Sequence, residues 1–172
     1  MGRIQRADSP GLGFRSLRAL VPTLSLVLAL IISCIPLAVI GQGFMPGILL
    51  MTIFFWGVER PGSLPSLMVF LSGLLIDFVS GGPVGLWAVS FLLFFVASRR
   101  EAETLSQLGF SARWMAFCTA VLLVGLFAWA VASLYYFRML PPGAITWQVL
   151  MTMLLYPLWI QVLRPLAYVT VD

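Results

Sequence analysis

The chain has 172 residues, 61% apolar and only 9% charged, whereas an ordinary soluble domain is about 45–50% apolar and about 25% charged. This excludes a soluble globular enzyme and a disordered or collagen-like chain, and the absence of histidine excludes imidazole catalysis and His-ligated metal sites. The net charge of +4 comes from ten arginines and six acids, and the arginines sit singly or in pairs between apolar runs, a pattern of topology signals and not of a nucleic-acid-binding surface.

The first element is a basic arm, residues 1–18, carrying Arg3, Arg6, Arg15 and Arg18 ahead of an apolar run over 19–40. Arm and run together look like a signal peptide, and Ile31-Ile32-Ser33-Cys34 looks loosely like a lipoprotein cleavage site. The residues after Cys34 stay apolar through Ile40 where a polar tether would follow, so the run is read as an uncleaved helix. Further apolar runs cover 44–58, 64–79, 84–97, 114–137 and 147–163. Three of these fall below the roughly 17–25 residues expected of a span. The turn Glu59-Arg60-Pro61-Gly62-Ser63 argues for full crossing, because a re-entrant dip would leave two charges in hydrocarbon at about 2.5–3.5 kcal/mol each or more. The reading is an all-α integral membrane protein, one six-helix transmembrane bundle over 19–168 followed by a short tail, 169–172.

Orientation follows from the arginines. With the N-terminus in the cytoplasm, nine of the ten lie inside and only Arg138 lies outside. Both termini are then cytoplasmic. Trp56, Trp114 and Tyr168 are expected as an inner aromatic belt, and Trp87, Tyr135, Tyr136 and Trp147 as an outer one. The outer loops shrink to about 41–43, 80–83 and 138–146, and the longest inner loop, 99–113, reads as a solvated connector. Pro22, Pro36, Pro46, Pro65 and Pro157 are expected to end or kink helices. Cys34 and Cys118 fall in different apolar runs and read as small buried residues.

Asp77 is the one acid inside an apolar run. Gly73, Asp77 and Gly81 share a face if the helix persists that far, and the next helix is expected to open with Gly82-Pro83-Val84-Gly85, the proline in its first turn. Three roles are open to Asp77: accepting hydrogen bonds from free N–H groups at that helix start, contacting a partner or ligand, or relaying protons. A relay needs a second intramembrane ionisable group, which the sequence lacks. A capping role predicts little loss on Asp77→Asn, because asparagine also caps. Ala116, Ala120, Ala128 and Ala132, with Gly125 nearby, form a small-residue face on the fifth run. It serves either the protein's own packing or a seam with another chain, self-association included. Glu59 and Arg60 read as a solvated turn, with contact to a partner as the alternative. No nucleophile–base pair, metal-ligand cluster or phosphate loop is visible, so no catalytic residue, metal or cofactor is assigned.

The segment 55–88 resembles the MreD family of bacterial rod shape-determining proteins. The resemblance rests on Phe55-Trp56, Pro61, Gly73-Leu74-Leu75-Ile76-Asp77, Gly81-Gly82-Pro83-Val84-Gly85-Leu86 and Ala88. Val84 stands where leucine is usual, and Phe55 where tyrosine is common. The resemblance implies a non-enzymatic scaffold of the cell-elongation machinery in the bacterial inner membrane. Its implied partners are MreC, a RodA-type glycan polymerase, a class B penicillin-binding transpeptidase, MreB filaments on the cytoplasmic side, and membrane lipid. It also implies a fold similar to the substrate-binding subunits of energy-coupling-factor vitamin transporters. A vitamin-binding transporter subunit is therefore the rival reading, and it requires a polar pocket. A flippase or channel would need a polar-lined path, which these residues do not trace.

Overall fold

The computed structural model describes residues 12–34 and 47–169, and all regular structure among them is helical. The order is α1 Leu12–Cys34, α2 Ile48–Glu59, α3 Ser66–Ser80, α4 Leu86–Arg100, α5 Ala102–Gln107, α6 Phe110–Tyr135 and α7 Gly143–Val169. Of these, α6 and α7 are long and apolar enough to cross a membrane. The expected arm up to residue 11, the 41–43 loop, the span ends at 35–40 and 44–46, Pro36, Pro46 and residues 170–172 lie outside the described residues.

Several boundaries differ from the apolar runs. Helix α4 continues through Arg99 and Arg100, and α7 runs past Arg164 to Val169. Arginine is a good helix former whose long stem carries its charge outward, so hydropathy stops before the helix does. The expected connector at 99–113 contains α5, seated by buried Ala102 and Leu105 at i, i+3. Pro65 stands at the N-cap of α3, as a residue without an N–H should, whereas Pro22, Pro157 and Pro165 lie inside helices.

Helix α2 is the hub. Its sequence, ILLMTIFFWGVE, has no polar face, and every residue from Leu49 to Val58 is buried. Around it sit α1, α4 and α7. At twelve residues it rises only about 18 Å, short of the ~30 Å hydrocarbon thickness of a bilayer. A helix this short is acceptable at membrane depth only where protein surrounds it and satisfies its ends.

Three hydroxyls tie α2 in by one device. Each donates to a carbonyl of its own helix and accepts an N–H from another segment, so no buried polar atom in the relay is left over. Ser25 Oγ donates to Pro22 O at 2.8 Å and accepts Trp56 Nε1–H at 2.7 Å. Thr52 Oγ1 donates to Ile48 O at 2.9 Å and accepts Trp159 Nε1–H at 3.0 Å. Thr152 Oγ1 donates to Gln148 O at 2.7 Å and accepts the Gly47 N–H, at the N-cap of α2, at 2.8 Å. Trp56 is thus wholly buried, a departure from the interfacial position expected of it. The Ser25 hydroxyl supplies the partner that its indole would otherwise seek in water.

Between these ties lies an aromatic cluster with one ring from each of four helices. Phe117 of α6 stacks on Tyr156 of α7 at 3.9 Å between centroids. Phe54 of α2 meets Phe117 edge-on at 5.2 Å and lies 5.9 Å from Phe94 of α4. Such pairs contribute about 0.5–1.5 kcal/mol each beyond their buried area.

Candidate functional site

The family-like residues divide between the two ends of α3. Pro61 is exposed in the turn before α3, and Trp56 is buried in α2. Gly73, Asp77, Gly81, Pro83 and Gly85 come together in the hairpin joining α3 to α4.

That hairpin is built from its glycines outward. A Cβ on Gly73 would lie 2.5 Å from Ala88 Cα and 2.7 Å from Trp87 O, so only glycine lets the two helix backbones touch there. One turn further along α3, Asp77 is 1% exposed and reaches the N-terminus of α4. Its Oδ2 accepts the Gly85 N–H at 2.9 Å and the Ala88 N–H at 3.3 Å, and its Oδ1 accepts the Trp87 N–H at 2.9 Å. The Leu86 N–H goes to Pro83 O and the Val89 N–H to Gly85 O. All the donors that open α4 therefore have acceptors, and the positive end of its dipole faces a carboxyl group. Gly81, at φ +66°, ends α3 in the left-handed conformation.

The turn differs in detail from the expectation. Helix α3 stops at Ser80, so Gly81 is its cap and not a third member of a helical stripe. Helix α4 starts at Leu86, not in the Gly82–Gly85 stretch, which places Pro83 in the turn. The physical reason is Gly85: its φ of +98° is incompatible with a right-handed helix and serves as the N-cap instead.

On α6, Ala128 is buried, Ala116 and Ala120 pack against the core, and Ala132 is half-buried. A Cβ on neighbouring Gly125 would stand 2.6 Å from Val149 Cγ2, so Gly125 lets α7 come close to α6. Glu59 and Arg60 are not a free turn. Arg113 Nη1 donates to Glu59 Oε1 at 2.9 Å, and Arg60 Nη2 donates to Ala167 O at 3.4 Å, joining α2 to the start of α6 and the end of α7. Each acid or base at a helix end where its own dipole disfavours it gains by this pairing.

Sequence reasoning missed the relays through Ser25, Thr52 and Thr152. The available signal was a lone hydroxyl in an otherwise apolar run, which needs a hydrogen-bond partner in a low-dielectric interior. Among the described residues no three His, Cys, Asp or Glu side chains converge, and Cys34 and Cys118 are half-buried thiols. An apolar groove of about 490 Å³ lies between α6 and α7, away from Asp77.

A family model described as rod shape-determining protein MreD matches residues 14–166. No curated protein and no solved structure matches the chain.

Proposed function

The chain belongs to the MreD family of rod shape-determining proteins, a family of membrane proteins, and on that premise we propose that it is a non-enzymatic scaffold of the cell-elongation complex. In this reading it crosses the inner membrane six times with both termini in the cytoplasm, binds MreC through its helices, and positions a RodA-type glycan polymerase and a class B penicillin-binding transpeptidase. MreB filaments lie beneath. A similarity of fold to energy-coupling-factor substrate-binding subunits belongs to the same proposal.

The observation that carries it is how the buried Asp77 carboxyl group and three buried hydroxyls are spent. The Asp77 carboxyl group is used by the start of α4, and the buried hydroxyls of Ser25, Thr52 and Thr152 are used by helix ties. A hydrophilic substrate or a proton path needs polar groups with capacity to spare. A frame that holds partner helices in fixed geometry does not. The arginine placement supports the orientation: Arg60, Arg99, Arg100, Arg113 and Arg164 sit where α2, α4 and α7 end and α6 begins, and Arg138 lies in the α6–α7 loop.

The test is co-purification of the C-terminally tagged chain in mild detergent, with mass spectrometry of what accompanies it. The expected result is a bitopic coiled-coil protein together with glycan polymerase and transpeptidase. Recovery of ATP-binding-cassette subunits with a coupling membrane protein would overturn the scaffold in favour of a vitamin transporter.

A further inference from the structure

Two features of the α6–α7 hairpin are absorbed neither by the hub at α2 nor by the Asp77 hairpin. The first is the groove of about 490 Å³, walled by Leu122, Leu126, Trp129, Ile145, Leu150 and Met153. Its polar side chains are already paired: Trp129 Nε1 donates to Leu140 O at 3.0 Å and Thr146 Oγ1 to Pro142 O at 2.8 Å. With both donors spent, only the Thr146 oxygen keeps accepting capacity among side chains that are otherwise apolar, so a hydrocarbon ligand suits these walls best. The size decides what kind of hydrocarbon. An α-helix with its side chains is about 10–12 Å across, so the groove admits only about one turn of one. A slim, unbranched acyl chain would fit along it.

The second feature is the loop at the groove's end. Tyr135-Tyr136-Phe137-Arg138-Met139 is apolar and aromatic around a single cation, and Phe137 and Met139 are 92% and 88% exposed. Phe137 holds a φ of +49°, which among the described residues no other non-glycine residue does, so the chain accepts local strain at a bulky residue to present this loop. The Trp129–Leu140 bond fastens the loop to the groove wall two residues from Arg138. Arg138 has no ion-pair partner among the described residues. Aromatic rings beside an arginine, standing over an apolar furrow, match the layering of a bilayer surface: acyl chains, then the glycerol boundary, then phosphate.

We propose that the α6–α7 hairpin is a binding site for one anionic phospholipid. Its acyl chain occupies the groove between α6 and α7, Phe137 and Met139 sink to the headgroup boundary, and Arg138 binds the phosphate. This goes beyond the scaffold reading and does not depend on which proteins the chain assembles with.

The test uses the full chain in mild detergent, stripped of lipid and titrated with phosphatidylglycerol or with phosphatidylcholine of identical acyl chains, read by native mass spectrometry. The chain is expected to retain one phosphatidylglycerol in preference to phosphatidylcholine. Arg138→Gln is expected to weaken phosphatidylglycerol about fivefold and leave phosphatidylcholine unchanged. Leu126→Trp, at an exposed position on the groove wall, fills the groove and is expected to weaken both lipids. Leu150→Trp on the facing wall serves the same purpose if circular dichroism shows the first variant misfolded. Equal retention of the two lipids, or phosphatidylglycerol binding unchanged in Arg138→Gln or in a folded groove-filled variant, would overturn the proposal.

Discussion

Gly73 and Ala88 are in backbone contact: a methyl group on Gly73 would lie 2.5 Å from the Cα of Ala88, a residue with no exposed surface. The distance between α3 and α4 is set there, and it determines whether Asp77, one turn along α3, reaches the N-terminus of α4. A glycine and an aspartate four residues apart on one helix therefore act as a unit, the first admitting the neighbouring helix and the second closing its exposed donors.

Gly73→Ala tests the approach. The added methyl meets backbone, which cannot swing aside as a side chain would, so α3 must shift and the Asp77 bonds must lengthen. Overpacking of this kind destabilises by about 1–3 kcal/mol. The expected result is a clear fall in the melting temperature of the detergent-solubilised protein. Gly62→Ala is the control, since nothing lies within 4 Å of a Cβ there. Equal melting of the two variants would show that the contact does not set the spacing.

Asp77→Asn separates one capping oxygen from two. The sequence-based expectation of a small loss holds for a cap that uses a single acceptor. Here both oxygens accept N–H groups, and the amide nitrogen of asparagine would have to face at least one of them. A buried donor left without its acceptor costs about 1–3 kcal/mol, so Asn is expected to melt well below wild type and Ala lower still. An Asn variant as stable as wild type would mean that one of the oxygens contributes nothing.

The Glu59–Arg113 pair makes a prediction about direction. Glu59 sits at the C-terminus of α2 and Arg113 in the first turn of α6, each at the helix end that disfavours its charge. Reversing either residue alone places like charges side by side and should lower the melting temperature. Reversing both, Glu59→Arg with Arg113→Glu, restores the pair with each charge at its preferred end. The double variant is expected to equal or slightly exceed wild type, the pair being partly exposed and so worth about 1 kcal/mol at most. A double variant as unstable as the single ones would refute this account.

The hydroxyl relay at α1 and α2 is tested by Ser25→Ala. The change removes few atoms but leaves the Trp56 indole N–H buried without an acceptor, at a cost of about 1–3 kcal/mol. Combining it with Trp56→Phe removes the stranded donor, so the two losses should be less than additive in a thermal melt. Strict additivity would mean that the two side chains do not act through that bond.

Helical class, the approximate places of the apolar helices, the family, and the position of Asp77 just before a glycine- and proline-rich turn are all legible in the amino-acid order. These are local properties. Hydropathy, glycine and proline act over a few residues, and Gly73 to Ala88 is a single hairpin in which chain order dictates who meets whom. That α2 is the enclosed hub, that Trp56 is buried against Ser25 instead of lying at an interface, and that Glu59 is paired with Arg113 emerge only once the helices are packed together. The Thr152–Gly47 and Thr52–Trp159 bonds join residues 105 and 107 positions apart. A hydroxyl in an apolar run shows that some donor must come to it, but which one depends on how the helices are arranged around each other. In a chain where nearly every helix is apolar on all sides, that arrangement is set by close fit and by a few buried hydrogen bonds between distant residues, and neither leaves a periodic mark in the sequence.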